Sequence, residues 1–380
     1  MAEWGDRLAD AVQGVYARLG RKGKPAAHEW TLLAGCCVTE GGDEGARACT
    51  APRVVAMATG TKCLGEARLT DEGDLLHDSH AEVLCRRALV RFLWTEIARL
   101  AAGDDGEAAN VFRRVSSAPL RVALRDGVQF HLYVSHAPCG DASISDATAE
   151  APPAAKRARM TGARAVEEND AARPTLDEQR VGIVRTKPGR GPRTISMSCS
   201  DKLALWSIVG FQGALLARVL APDAPWLTFR TIAIGDEYVR DDAQRALVGR
   251  VASLAASPPP AVVQTTRAFA DSRVAKGRTD LSGSCAIYWT PEWTAAEAVQ
   301  ASGRKMGANK RCKRPATRSS LCRRALLDLY RDVTGDTDGF RAAKDGATAY
   351  QALKARALAG PLTGWIRSGR DVVDVDGKGE

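Results

Sequence analysis

The sequence predicts an α/β fold, and three observations carry that prediction. Apolar runs of strand length and composition (TLLAGCCV, RVVAMATGTKC, LTFRTIAIG and SCAIYWT) alternate with longer runs of helical period. Hydrophobic residues make up 45% of the 380, enough for a sizeable core. No internal repeat is present, so stacked-repeat architectures drop out. Strands and helices interleave along the chain, which is the α/β pattern.

The elements follow in order. Residues 6–20 read as an amphipathic helix with Leu8, Val12, Val15 and Leu19 on one stripe. TLLAGCCV and RVVAMATGTKC read as strands bounded by Gly-rich turns. A long helix is expected after His80, with Leu89, Phe92, Leu93, Ile97 and Leu100 in phase and Arg86, Arg87 and Arg91 near its start. Two apolar runs around Asp126-Gly127 predict a hairpin, the second run ending at Pro138-Cys139-Gly140. Residues 145–180 are rich in Ala, Pro, Arg and Glu and read as a flexible surface insertion. Within them KRAR at 156–159 has two readings, a nuclear address or an ordinary solvated charge run, the second being the commoner. SCSDKLALWSIVGFQGALLARVL reads as a second long apolar helix entered at Cys199. LTFRTIAIG and SCAIYWT supply two more strands, and SPPP at 257–260 marks a loop. Arg304 to Arg324 holds nine Lys/Arg and no acids, and helical runs at Leu321–Tyr330 and Ala342–Leu358 follow.

Charge and cysteine usage narrow the function classes. The 54 Lys+Arg against 45 Asp+Glu leave +9, which favours a polyanionic partner. The ten cysteines show no framework spacing, and MAEWGDRLAD has no apolar leader core, so a secreted disulfide scaffold is not expected. The expectation is a reducing intracellular compartment, nucleus or cytoplasm. No apolar run approaches a membrane span. Five histidines leave little room for an all-histidine metal site.

The chemistry concentrates in two short segments. His80-Ala81-Glu82 opens a helix and Pro138-Cys139 ends a strand, two of the three parts of the H-x-E…P-C-x-x-C zinc-deaminase signature. One imidazole and two thiolates hold a zinc ion and leave a fourth position for water, whose pKa falls to about 7. A carboxylate two residues from the histidine can take the proton and pass it on without ligating the metal. The third part is displaced, because Ala142 stands three residues after Cys139. Cys199 is the natural second thiolate, since it precedes a helix, where the thiolate form is favoured. The alternative is a helix-capping SHAE with buried cysteines. Cys36, Cys37, Cys49, Cys63, Cys85, Cys285, Cys312 and Cys322 read as small hydrophobes, and His28, His131 and His136 as ordinary residues.

With these residues in view a resemblance emerges. TGTKC, D-SHAE-V-x-x-RRAL, SHAPCGDASI, RTKPG, MSCSDK and GFQGALL occur in order. Together they resemble the catalytic domain of the eukaryotic RNA adenosine deaminases over roughly residues 50–367. That family has double-stranded-RNA editing enzymes and a tRNA-specific branch. The resemblance implies a cytidine-deaminase-like mixed sheet flanked by helices, a single elaborated domain. Residues 1–49 would add a helix and first strand to it, and 50–380 would carry the deaminase domain proper. It implies one zinc per chain held by His80, Cys139 and Cys199, with Glu82 moving protons, and conversion of adenosine to inosine. The tRNA branch is the nearer, with nucleotide 37 beside the anticodon of alanine tRNA as the implied target. About 75 residues precede the HAE motif, too few for a duplex-RNA-binding domain plus the first strands. The loop after Lys187, Pro-Gly-Arg-Gly-Pro, also lacks the Glu with which the editing enzymes flip a base from a duplex. Thr61 and Lys62 would contact the sugar and phosphate of the target nucleotide.

The resemblance also implies a buried inositol hexakisphosphate. Arg86, Arg87, Lys202, Lys305, Lys344, Tyr350, Lys354 and Trp365 would face it. Asp78, Lys187 and Lys202 would form a polar relay to the zinc ligands. A buried polyphosphate needs many cations to offset its desolvation. Tyr350 and Lys354 stand one helical turn apart. Two departures weaken individual contacts: Leu205 stands where the family often has Arg, and His77 where it usually has Asn. Residues 304–324 read either as an external RNA-binding strip or as a strip with Lys305 turned inward. The rival functions are a deaminase of duplex RNA, a catalytically silent RNA-binding partner and a free-nucleotide deaminase.

Overall fold

The computed structural model describes residues 2–41, 50–103, 111–145, 163–166, 180–187, 192–255, 258–277, 281–308 and 315–367. In chain order the elements begin with α1 (Ala2–Arg18), β1 (Leu33–Glu40), β2 (Arg53–Thr59), β3 (Thr61–Cys63), β4 (Asp78–His80) and α2 (Ala81–Ala101). Next come β5 (Phe112–Ser117), β6 (Leu120–Leu124), β7 (Val128–His136), β8 (Arg164–Ala165), β9 (Arg185–Thr186), α3 (Cys199–Val209) and α4 (Gly213–Ala217). The chain continues with β10 (Phe229–Asp236), α5 (Arg240–Leu247), β11 (Ala261–Gln264), β12 (Cys285–Trp289), β13 (Glu297–Gln300), α6 (Arg323–Thr334), α7 (Phe340–Asp345) and α8 (Thr348–Ala359).

The main sheet runs β11-β10-β7-β1-β2-β12-β13. β10 lies parallel to both β7 and β11, and the other neighbours are antiparallel. This is the expected α/β fold with a mixed sheet. Helices cover both faces, which is why β7 is buried on both sides along VQFHLYVSH instead of alternating. On one face Leu8, Val12 and Tyr16 of α1 pack on Cys37, Met57 and Tyr133. On the other, α2 buries Leu84, Leu89, Phe92, Leu93, Trp94 and Ile97. Each such side chain contributes about 1.5–3 kcal/mol on full burial. A third cluster joins α3 to α8 through Leu205, Ile208, Tyr350 and Leu358. Among the described residues no helix is long and apolar enough to cross a membrane.

Several local expectations change. The turn at Asp126-Gly127 exists, with Val128 N–H donating to Arg125 O at 3.2 Å, but it does not close a hairpin. β6 pairs with β5, while β7 enters the main sheet between β1 and β10. The long helix expected from Cys199 breaks at Gly210 (φ 74), where the Gln212 side chain donates to Val209 O and accepts from Leu227 N–H. The run 342–358 is two helices, α7 and α8. Within 145–180, Ala163 and Ala165 are buried, and β8 pairs with β9, so this piece is packed. Residues 146–162, including KRAR, and 167–179 lie outside the described residues, as do 188–191 of the loop after Lys187.

Candidate active site

Gly60 starts the site. At φ 140 it ends β2, and a Cβ there would stand 2.0 Å from Ser79 O, so only glycine lets the two backbones approach. The chain therefore leaves the main sheet, and β3 pairs with β4, setting Thr61 opposite His80 and Cys63 opposite Asp78. His80 then stands at the N-cap of α2 in extended conformation. Cys139 follows the end of β7 at the centre of the sheet. Cys199 is the first residue of α3, whose N-cap Ser198 accepts from Asp201 N–H. Gly140 (φ 105) lets the second and third parts touch, since a Cβ there would lie 2.2 Å from Ser198 Oγ.

These three connections bring the predicted ligands together. His80 Nδ1 lies 3.9 Å from Cys139 Sγ and 3.7 Å from Cys199 Sγ. All three donor atoms fall within 4.8 Å of one another. A tetrahedral zinc ion with ordinary bond lengths needs edges of about 3.5–3.8 Å. The donor set, one imidazole and two thiols, is the chemistry that zinc prefers, and the residues fit one such ion. Cys139 is held well below the usual thiol range by the hydrogen bond from the Cys199 thiol, with Lys187 and His80 adding to it against burial. Burial pushes Cys199 up, and its hydrogen bond to Cys139 and the nearby Glu82 carboxylate push the same way. Glu82 is 3% exposed, and its Oε2 has no hydrogen-bond partner among the described residues. A buried carboxylate oxygen left unpaired beside a metal-fitting cluster is poised to meet a water or substrate atom.

Behind the cluster Asp78 collects donors. Lys187 Nζ reaches it at 3.0 Å, Ser196 Oγ at 2.6 Å and its Oδ1 accepts from His80 N–H at 3.0 Å, with Lys202 also bonded to it. Lys187 Nζ also donates to Cys199 Sγ at 3.0 Å. The expected Asp78–Lys187–Lys202 relay is thus a continuous set of contacts, and Ser196 is a member the sequence did not single out. Burial opposes the charges of Asp78 and Lys187, but each outweighs it for the other: the carboxyl is held well below its usual range and the ammonium well above.

Asp78 and Lys202 also line a cavity of about 690 Å³. Its wall carries Arg86, Arg87, Lys344, Tyr350, Lys354 and Trp365, together with Leu205 and His77. Lys305 is not in the wall: its Nζ pairs with Glu297 at 3.2 Å and its side chain is 37% exposed. The basic region contributes Arg323 instead, and Arg341 and Arg367 add to the wall. Counting charge along 304–324 could not give direction, whereas the start of α6 at Arg323 points that residue inward. Eight cations thus face two carboxylates, Asp78 and Asp345. Burial, with Arg323 and Arg86 beside it, pulls Arg87 down to about 10. Burial, Lys354 and Arg323 pull Lys344 down to about 8. Of the two residues expected at the substrate, Thr61 keeps its buried Oγ1 without a partner among the described residues, and Lys62 Nζ donates to Ser282 Oγ at 2.6 Å.

Residues 56–365 match the family described as the adenosine-deaminase (editase) domain. The chain belongs to that family. The deaminase is 40% identical to the fruit-fly tRNA-specific adenosine deaminase 1 over 219 residues, 55% of this chain and 50% of that protein. It is 28% identical to the mouse protein of the same name over 96% of this chain and 98% of the mouse one. It is 31% identical to the fruit-fly double-stranded RNA-specific editase Adar over 75% of this chain and 42% of that protein. The family and the site together make it an enzyme that deaminates adenosine.

Proposed function

We propose that this chain is a zinc-dependent hydrolase converting adenosine to inosine in tRNA, with nucleotide 37 of alanine tRNA as the favoured target. The observation that carries the chemistry is the His80, Cys139 and Cys199 cluster with the unpaired Glu82 carboxylate beside it. Zinc supplies the Lewis acidity that makes water a nucleophile at neutral pH. Glu82 accepts the proton of that water and delivers it to the leaving amino nitrogen, so water adds at the purine carbon and ammonia departs. Thr61, opposite His80, offers its free hydroxyl to the target nucleotide, and Lys62 its charge to the phosphate. The tRNA assignment is supported by the alignment with the mouse tRNA-specific protein over nearly all of both chains. The +9 net charge suits an RNA backbone. Residues 1–49 would belong to this same domain, since α1 packs on its sheet.

The cavity is proposed to hold inositol hexakisphosphate. Its support is the excess of cations lining one cavity, with burial lowering the pKa of Arg86, Arg87, Lys344 and Lys354, a load that a bound polyanion would relieve. The test of function is sequencing of one purified alanine tRNA before and after incubation with the zinc-loaded protein. An A-to-G change at nucleotide 37 is expected. Conversion in a bare RNA duplex but not in tRNA would assign the protein to duplex editing, and no conversion in either would overturn the reading. Mass spectrometry of the small molecules released on denaturation tests the cavity ligand.

A further inference from the structure

The two cysteines of the candidate metal centre come from loops 60 residues apart in sequence. In a P-C-x-x-C segment a single turn fixes both sulfurs. Here tertiary structure must fix their separation. Each cysteine is followed two residues later by an aspartate, Cys139-Gly140-Asp141 and Cys199-Ser200-Asp201. Both aspartates are 0% exposed. A carboxylate that deep in a protein is costly unless paired, and each is paired to an arginine of one short segment, α5 and the turn after it.

Arg245, in α5, grips the Cys139 loop. Its Nη2 donates to Asp141 O at 3.0 Å and Ile144 O at 2.7 Å, and its Nε lies 3.5 Å from Asp141 Oδ2. Asp242, one helical turn earlier, pairs with Arg245 at 2.9 Å and accepts from Ser145 Oγ at 2.6 Å, adding a second hold on the same loop. Arg250, just beyond α5, grips the other loop. Its Nη1 lies 2.8 Å from Asp201 Oδ1, an ion pair by distance more than by N–H alignment. The other oxygen of Asp201 accepts from Ser198 Oγ at 2.6 Å, the residue before Cys199, and from Arg185 N–H of β9 at 2.8 Å. Arg250 Nε donates back to Ala246 O at 2.8 Å, so the two grips belong to one stiff piece of chain.

We infer that Arg245 and Arg250 are positioning residues that together set the distance between the two thiolates, acting as a bracket across the Cys139 and Cys199 loops. The inference rests on the proposed metal centre. Polar partners that orient metal ligands typically contribute 10–100-fold to metal affinity, and the bracket acts at that level without touching substrate.

The test compares Arg245→Met and Arg250→Met with Arg267→Met, an exposed arginine outside the bracket, in the full zinc-loaded chain. Two readouts are taken well below the melting temperature: the rate of zinc transfer to a chromophoric chelator, and the visible absorption of the cobalt(II)-substituted protein. Both bracket variants are expected to release zinc about tenfold faster or more, and to show shifted or weakened cobalt bands, with Arg267→Met matching wild type. Folded bracket variants with the wild-type release rate and cobalt spectrum overturn the inference. If a methionine variant does not fold, Arg245→Lys and Arg250→Lys decide: they keep the charge and lose the fork, so several-fold faster release supports the bracket and the wild-type rate overturns it. A wild-type chain that takes up neither zinc nor cobalt is a different result. It removes the metal centre, and the bracket with it.

Discussion

Replacing Lys187 with methionine keeps the volume of a side chain that is 1% exposed and removes its charge. Asp78, 7% exposed, retains Lys202, Ser196 and the His80 N–H. The carboxylate is therefore not stranded, and the loss belongs at the low end for breaking a buried pair, about 3 kcal/mol. An unfolding entropy of about 2.1 cal/mol/K per residue over 380 residues amounts to about 0.8 kcal/mol/K. The melting temperature should then fall by about 4 °C. Arg267→Met, which breaks an ion pair with Asp10 in which both side chains are more than half exposed, should shift it by about 1 °C or less. The Asp78 carboxyl is held below its ordinary 3.8, so its contribution is present above that pH and lost on acidification through the lower folded value. Lys187 is held above its ordinary 10.5, so its contribution is present below that pH and lost as pH rises through the higher folded value. The gap between wild type and Lys187→Met should accordingly stay flat from about pH 5 to 9. Differential scanning calorimetry of the zinc-loaded proteins measures it. A shift no larger than that of Arg267→Met, or a gap that closes within that pH range, refutes the reasoning.

Three further outcomes are expected. Glu82→Gln should lower deamination by about 10²–10⁴-fold while zinc content by elemental analysis stays at one per chain; a variant of wild-type rate removes Glu82 from the chemistry. Lys344→Met should change sign with the state of the cavity. Lys344 is depressed to about 8, so in ligand-free protein its charge costs up to about 3 kcal/mol below that pH. The variant then melts higher at pH 7, and the gain fades from about pH 8 to 10.5. With inositol hexakisphosphate added it melts lower than wild type, and a gain in both states argues against an anion in the cavity. Finally, dialysis against a zinc chelator should abolish activity, with zinc restoring it and magnesium not, as followed by ammonia release.

Much of the fold was legible because it is written locally. The apolar runs LTFRTIAIG and SCAIYWT became β10 and β12, and the helix after His80 became α2. The Asp126-Gly127 turn was legible too, but its partners were not. A turn is a property of four residues, whereas pairing β7 with β1 and β10 is decided by the whole apolar face that the sheet must bury. The same limit explains the helix broken at Gly210. An apolar run says nothing about a glycine in the left-handed region until Gln212 is seen closing the break. Lys305 and Arg323 sit in one basic stretch, and composition there gives charge without direction.

The site follows the same division. His80, Glu82, Cys139 and Cys199 are legible because the chemistry restricts which residue types can serve. Their supports are not. Nothing in the sequence RDDAQRALVGR marks it as a support, yet Arg245 and Arg250 each meet a wholly buried aspartate. The reason lies in how the centre is built. Each ligand arrives on a separate connection, so no stretch of local backbone can hold the three in register. Hydrophobic contact is non-directional and cannot set an S–N distance to a few tenths of an ångström. Directional bonds to buried charges can, provided each charge is compensated. That accounts for Asp78, Asp141 and Asp201 lying 7%, 0% and 0% exposed around a single cluster, each with a cation against it. A centre whose two thiolates sat in one turn would need fewer such charges, so the displacement of the third cysteine and the arginines that brace it are two sides of one structural requirement.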